Sequence, residues 1–277
     1  MMNVVTGAPN AKINLGLRVL RKRPDGYHDI ESVLLPVGLH DRLEIELYSG
    51  NEDHLQMSGI PVMGKPEDNL VLRAVRLQRS IKYFPTVTIR LQKMIPAGAG
   101  LGGGSSDAAT TLLMLNDLFG LGFTQSELAR MAAQIGSDCP FFVYNKPMLA
   151  TGRGTDLTPV EVPLSDYWVV IVKPNVHIST PWAYRQVTPS AVPEFPDLKN
   201  LSVSQWRNYL VNDFQKPVVS SYPVIGELLR KLELMGAEYY SLSGSGSAVY
   251  GLFSTKPQNC ESVFQKYFFW YGPVSGG

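Results

Sequence analysis

The sequence predicts an α+β protein of two lobes. Strands that alternate apolar and polar residues dominate the first 50 positions, helical stripes recur from residue 70 onward, and two glycine-rich turns stand far apart in the chain. With 277 residues and 44% hydrophobic content, there is enough chain for two lobes sharing a cleft. A composition change near 160–175 places the boundary, giving domains 1–160 and 161–277.

Charge and cysteine usage narrow the function classes. Twenty-five Lys and Arg against 24 Asp and Glu leave a formal net charge of +1 with no long basic run, so no nucleic acid partner is expected. Met1 to Ala11 has neither a long apolar stretch nor an Arg-rich leader, and no apolar run approaches the ~18 residues of a membrane span, so the expectation is cytoplasmic, with no membrane partner. Cys139, Cys260 and four scattered histidines form no CxxC or HExxH spacing, which argues against a metal site built from protein ligands. Cys139, beside Asp138, reads either as a small buried residue or as a reactive thiol.

Taken in order, Ile13, Leu15 and Leu17 share one face of a strand, and Lys12 and Asn14 share the other, which points into a cleft or into solvent. Pro24-Asp25-Gly26 forms a turn, because proline presets φ and glycine accepts a positive one. Tyr27 and His28 leave it together, a ring beside a donor and acceptor that suits a nucleobase or sugar, with simple packing as the alternative. Residues 30–48 read as two further strands of an antiparallel meander, joined near 38–42. Asp68 or Asn69 caps a helix whose core stripe is Leu70, Ala74, Leu77, Ile81 and Phe84 and which ends near Pro85. Thr86 to Gln92 alternates again, as a strand with one wet face.

That strand delivers Pro96-Ala97-Gly98-Ala99-Gly100-Leu101-Gly102-Gly103-Gly104-Ser105-Ser106, which runs into a helix from Asp107 to Phe119. A glycine-rich turn at a helix start gathers unpaired N–H groups, the positive end of the helix dipole and here two hydroxyls, a combination that binds phosphate. Gly98, Gly100 and Gly103 match the dinucleotide fingerprint in letters, but a Rossmann first strand is buried on both faces and 86–92 is half-exposed. No Gly-Lys-Ser or Gly-Lys-Thr follows, which excludes a Walker A loop. Leu70, Val71 and Met94 are the candidate wall for a purine.

Thr124 and Glu127 fit a capping box for a helix over 125–135, ended by Gly136 in an αL cap. Asp138, ahead of Pro140, is either a carboxylate held at a cleft or the N-cap of a short helix. A hairpin over 148–160 turns at Thr151-Gly152-Arg153-Gly154, and Trp168 to Val172 is the most continuously apolar strand. Thr180, Trp182 and Tyr184 around Pro181, then Pro189, Pro193 and Pro196, read as an irregular surface connection. Pro223 opens a helix with Ile225, Leu228, Leu229 and Leu232 inward and Gly236 at its end. Strand, glycine turn and strand follow over 239–253.

Three stretches, Pro9 to Leu15, Pro96 to Ala109 and Leu242 to Ser247, together resemble the GHMP kinase superfamily in order and spacing across nearly the whole chain. The Arg23 to His28 turn and the triple glycine Gly102 to Gly104 are similar to its branch that phosphorylates the 2-hydroxyl of a cytidine-diphosphate-linked methylerythritol, toward isoprenoid precursors by the non-mevalonate route. The resemblance implies a ribosomal protein S5 domain 2-like N-terminal lobe, a ferredoxin-like C-terminal lobe and an active site in the cleft between. It implies ATP with Mg²⁺, a small-molecule substrate, and a monomer or homodimer. Pro96 to Ser106 would wrap the ATP phosphates, Asp138 would accept the hydroxyl proton, and Lys12 would pair with it and stabilise the transferred group. Tyr27 and Tyr184 would sandwich the cytosine with His28 at its edge, and Asn14, Thr180, Gly244, Ser245 and Gly246 would hold polar groups of the substrate. Other GHMP small-molecule kinases and a non-catalytic nucleotide-binding relative are the alternatives.

Overall fold

The computed structural model describes residues 4–62, 64–189 and 195–274 of the chain; Pro193 and Met1 to Asn3, which the readings above include, lie outside them. The first half contains β1 (Val4–Gly7), β2 (Asn10–Lys22), β3 (His28–His40), β4 (Arg42–Leu47), β5 (His54–Gly59), α1 (Leu70–Ile81), β6 (Val87–Lys93), α2 (Gly103–Leu118), α3 (Gln125–Ile135) and α4 (Cys139–Tyr144). The second contains β7 (Met148–Thr151), β8 (Asp156–Pro159), β9 (Trp168–Lys173), α5 (Thr180–Arg185), α6 (Gln215–Ser221), α7 (Pro223–Leu234), β10 (Tyr239–Leu242), β11 (Val249–Phe253), α8 (Cys260–Phe264) and β12 (Phe268–Pro273). Among the described residues no helix is long and apolar enough to cross a membrane. Two compact units interleave along the chain, so residues 1–160 contribute to both.

The first unit takes residues 1–11, 40–97 and 102–145. Its sheet has the order β1-β4-β6-β5, with β4 antiparallel to both neighbours and β5 parallel to β6. The alternation in β4 and β6 sends Leu43, Ile45, Val87, Ile89 and Leu91 into one core with Val71 and Val75 of α1 and Leu115 of α2. The other face is polar; Arg90 donates to Glu44 and Glu46 at 2.5 and 2.7 Å. Strand β5 was not anticipated, because its side chains are almost all exposed and carry little apolar alternation.

Several boundaries depart from expectation for identifiable reasons. The side chain of Asn69 caps α1 by accepting from Val71 N at 2.9 Å, but the buried face is Val71, Ala74, Val75 and Gln78, one step from the expected stripe, and Ile81 is 52% exposed. The helix ends at Ile81 because Lys82 is extended, and Phe84 then packs on Phe119 with ring centroids 4.9 Å apart. Helix α3 carries its capping box, with Glu127 N donating to Thr124 Oγ1 and Thr124 N to Glu127 Oε2. Gly136 has φ −172°, not the αL conformation; a Cβ there would lie 3.3 Å from Cys139 Sγ, so close approach is what the glycine supplies.

The meander expected over 30–48 is broken at Asp41: β3 lies in the sheet β2-β3-β7-β8, and β4 in the sheet of the first unit. Asp41, the residue linking β3 to β4 in sequence, is fully buried and accepts from Lys93 Nζ, Met94 N and Ile95 N, which anchors the start of β4 in the first unit.

The second unit takes residues 12–39, 98–101 and 146–277. Besides β2-β3-β7-β8 it holds β10-β11-β9-β12, in which β9 is central and fully buried from Val169 to Val172, as its unbroken apolar run requires. Leu17, Val170, Phe214, Ile225, Leu228 and Val249 share its core, each buried aliphatic contributing about 1.5–3 kcal/mol. Helix α7 buries Ile225, Leu228, Leu229 and Leu232 as read, and Gly236 closes it at φ +92°. The irregular connection starts instead as helix α5, where Ser179 Oγ caps by accepting from Trp182 N at 3.2 Å.

Candidate active site

Within the second unit, β2 fixes a polar cluster. Lys12 and Asn14 are 4% and 3% exposed, which removes the solvated alternative for that strand face. Lys12 Nζ donates to Asn14 Oδ1 at 2.5 Å, and Asn14 Nδ2 donates to Ser32 Oγ at 2.8 Å. Fully buried Tyr250 donates its hydroxyl to the Asn14 carbonyl at 2.6 Å. Burial keeps that phenol well above its usual range, so it stays a donor.

The two glycine turns meet beside this cluster. Lys12 N donates to Leu101 O at 2.9 Å, Ala248 N to Ala99 O at 3.0 Å, and Ser243 Oγ to Gly100 O at 2.8 Å. Gly100 has φ +78°, and a Cβ there would collide with the Ser243 carbonyl. A Cβ on Gly244 would lie 3.4 Å from both Asn14 Oδ1 and Gly100 Cα. Thr180 Oγ1 and Ser245 Oγ are hydrogen-bonded at 3.1 Å, and Gly246 N donates to Ser243 O at 2.9 Å. The structure therefore collects Lys12, Asn14, Gly98 to Leu101, Thr180 and Gly244 to Gly246 around one place. Asn212 supports the second turn from below, donating to the Leu242 and Gly244 carbonyls at 2.8 and 2.9 Å.

The aromatic residues are arranged differently from the expected sandwich. His28 stacks on Tyr184 with centroids 4.7 Å apart and planes 18° from parallel, while Tyr27, 55% exposed, lies under the Arg153 guanidinium at 3.6 Å. Tyr27 therefore presents a ring to solvent beside a cation. Partial burial and nearby Lys22 hold the imidazole of His28 below its usual pKa, keeping it neutral with one donor and one acceptor nitrogen.

In the first unit, the glycine loop starts its helix earlier than the periodicity suggests. Gly102 adopts φ +73° as N-cap, and Gly103, Gly104, Ser105 and Ser106 form the first turn of α2. A Cβ on Gly103 would lie 2.9 Å from Ile95 Cγ2, so the glycine permits helix and β6 exit to approach. Four backbone N–H groups at this end lack intrahelical partners. Ser106 Oγ is buried with no hydrogen-bond partner among the described residues. Pro96 and Ala97 leave the anchored pair Met94 and Ile95, and Ala97 and Gly104 line a pocket of about 260 Å³ with Met57, Asn69, Leu70 and Lys93. Of the three residues expected to wall a purine, Leu70 lines this pocket, whereas Val71 is fully buried in the core and Met94 is not among the lining residues.

Lys93 lines that pocket, its ammonium donating to Asp41 and, at 2.6 Å, to Asp107 of α2. Asp41 has two backbone donors besides, whereas among the described residues Asp107 Oδ1 has no partner; burial and the like charge push the Asp107 carboxyl upward, to about 7. This triad escaped the sequence reading, although the alternation of Val87, Ile89 and Leu91 already puts Lys93 on the buried face. Asp138 holds the N-cap position of α4, half-buried, but makes no side-chain capping bond. Its neighbour Cys139 is fully buried, and desolvation pushes the thiol up to about 11, so the reactive reading is not supported.

The model of the GHMP kinases N terminal domain matches residues 69–146, and that of the GHMP kinases C terminal domain matches 191–268. The chain is 46% identical over 271 residues to 4-diphosphocytidyl-2-C-methyl-D-erythritol kinase of Parabacteroides distasonis, spanning 96% of this chain and 98% of that one. The chain belongs to the GHMP kinase family. The similarly named kinase of Porphyromonas gingivalis is also 46% identical, over 265 residues, 95% of this chain and 97% of that one. Among solved structures, a crystal structure of 4-(cytidine 5'-diphospho)-2C-methyl-D-erythritol kinase superposes with a TM-score of 0.83 at 31% identity, covering 99% of this chain and all of that one. The α+β arrangement of this GHMP kinase is thus shared over its full length with a relative of known structure.

Proposed function

We propose that this GHMP kinase transfers the terminal phosphoryl group of ATP to the 2-hydroxyl of 4-diphosphocytidyl-2-C-methyl-D-erythritol, in the non-mevalonate route to isoprenoid precursors. The observation that carries this reading is 46% identity, spread over 96% of the chain, to a relative of that name. Phosphoryl transfer depends mainly on positioning and on stabilising charge on the transferred group, and backbone N–H donors do both without reorganising.

Pro96, Ala97, Gly98, Ala99, Gly100, Leu101, Gly102, Gly103, Gly104, Ser105 and Ser106 hold the ATP phosphates, with the purine in the pocket beside Leu70. Mg²⁺, when bound, neutralises charge on the phosphate oxygens. Ser106 fits it: among the described residues its buried hydroxyl has no partner, and they contain no cluster of three His, Cys, Asp or Glu side chains able to hold an ion unaided. Lys12 stabilises the transferred group. From its half-buried place at the N-terminus of α4, Asp138 takes the proton from the 2-hydroxyl. Tyr27, His28 and Tyr184 receive the cytosine, which must enter against the existing His28–Tyr184 stack or beside it. Asn14, Thr180, Gly244, Ser245 and Gly246 hold polar groups of the substrate. The domains 1–160 and 161–277, a cytoplasmic location and a monomer or homodimer complete the reading.

A coupled assay of ADP release with the cytidyl substrate, homoserine and mevalonate tests it. Turnover is expected only with the first; activity confined to either of the others overturns the assignment. Asp138→Asn is expected to lower kcat by about a hundredfold or more, the range of a positioned general base. Unchanged turnover in that variant would remove Asp138 from the mechanism.

A further inference from the structure

Hydrogens decide what the polar cluster on β2 can do, and the partners account for every one that matters. Ser32, fully buried on β3, donates its only hydroxyl proton to the Gly16 carbonyl at 2.6 Å. Its oxygen can then only accept, and the group facing it at 2.8 Å is the Asn14 amide. An ammonium can only donate, so the atom of Asn14 facing Lys12 Nζ at 2.5 Å must be the oxygen. Both ends demand the same orientation of a side chain whose two halves are otherwise interchangeable in shape. The Asn14 backbone is held independently by Tyr250, and Gly244 lies near enough that an added Cβ would stand 3.4 Å from Asn14 Oδ1, so what is left for Ser32 to set is the amide rotation.

We propose that Ser32 is a positioning residue that locks the Asn14 amide with Oδ1 toward Lys12, thereby fixing both the lysine ammonium and the amide for phosphoryl transfer. The proposal rests on the function assigned above for its kinetic consequences, though not for its structural one. Without the Ser32 hydroxyl, the Gly16 carbonyl and Asn14 Nδ2 each lose a buried partner, and the amide is released to turn its NH₂ toward the ammonium, donor against donor. An effect of Ser32 on turnover must then pass through Asn14.

A double-mutant cycle with an amide spectrum tests this. Ser32→Ala is expected to lower kcat about tenfold with the KM for ATP unchanged, and Ser32→Thr, which keeps the hydroxyl, to restore most of the loss. In an Asn14→Ala background, Ser32→Ala is expected to lower kcat by less than about twofold. An equal loss in both backgrounds would show that Ser32 only supports the fold, and would overturn the proposal. Should Ser32→Ala not fold, Ser32→Cys fills the same space with a weak hydrogen-bonding group and is read through the same cycle. The side-chain NH₂ pair of Asn14 in a ¹H–¹⁵N spectrum is expected to exchange slowly in the unaltered chain and fast in the Ala or Cys variant, with no substrate present. An unchanged pair overturns the proposal; a changed pair in a chain that phosphorylates none of the three alcohols supports it while the assigned activity fails.

Discussion

Replacing Gly100 by alanine separates the two reasons a glycine can be required. The residue has φ +78°, and a Cβ would meet the Ser243 carbonyl oxygen, lie 2.8 Å from its carbon and 3.4 Å from Gly246 N. The positive φ alone costs an alanine about 1–2 kcal/mol. Overpacking adds about 1–3 kcal/mol, with the upper end expected because the obstructing atoms are backbone and cannot change rotamer. Gly236 is the control: at φ +92° it is as left-handed, but no atom of the described residues lies within 4 Å of its Cβ position. Urea unfolding at 25 °C should therefore show Gly236→Ala destabilised by about 1–2 kcal/mol and Gly100→Ala by about 2–5 kcal/mol. Turnover should fall only for Gly100→Ala, because displacing by about 1 Å a backbone that we propose holds phosphate can cost a hundredfold in rate. Equal destabilisation of the two variants would refute the close-approach argument, leaving Gly100 as one more flexible turn residue.

The Asp107 carboxyl, raised to about 7 in the folded chain against an unfolded value of about 3.9, contributes stability that is present below pH ~4 and lost as pH rises through about 7. Asp107→Asn is expected to flatten that part of the stability profile of the ligand-free chain; a variant with the original slope would assign the dependence elsewhere. For Cys139, whose thiol is buried and pushed up to about 11, a disulfide reagent at pH 8 should label the native chain no faster than the chain opens, and prompt stoichiometric labelling would contradict the buried environment.

The features legible in the sequence are those in which local chemistry and tertiary demand coincide. The capping box at Thr124 and Glu127, the Pro24-Asp25-Gly26 turn and the inward stripe of α7 need only neighbours a few residues away, and all three stand where they were read. The α1 stripe missed by one position because Gln78, polar in the sequence, is buried: its Nε2 donates to the Leu112 carbonyl at 3.1 Å, a partner 34 residues on that no helical periodicity reveals. Ser32 and Asn212 were passed over for the same reason, since each is an ordinary polar residue until the backbone carbonyls it serves are in place.

Gly136 and Gly103 show the limit most sharply, because the identity of each residue was informative while its close approach to a neighbour was not visible, and for Gly136 the inferred cause was wrong. Glycine after a helix suggests an αL cap, and the glycine-rich turn suggests a helix that begins only at Asp107. Yet Gly136 is extended and Gly103 is helical. What each supplies is the missing Cβ, which lets α4 approach the end of α3 and lets α2 approach Ile95. The consequence for the glycine-rich loop is that its last glycines hold N–H groups in the first helical turn of α2, so an alanine at Gly103 should act by displacing α2 from Ile95 and Lys93 rather than by stiffening a mobile segment.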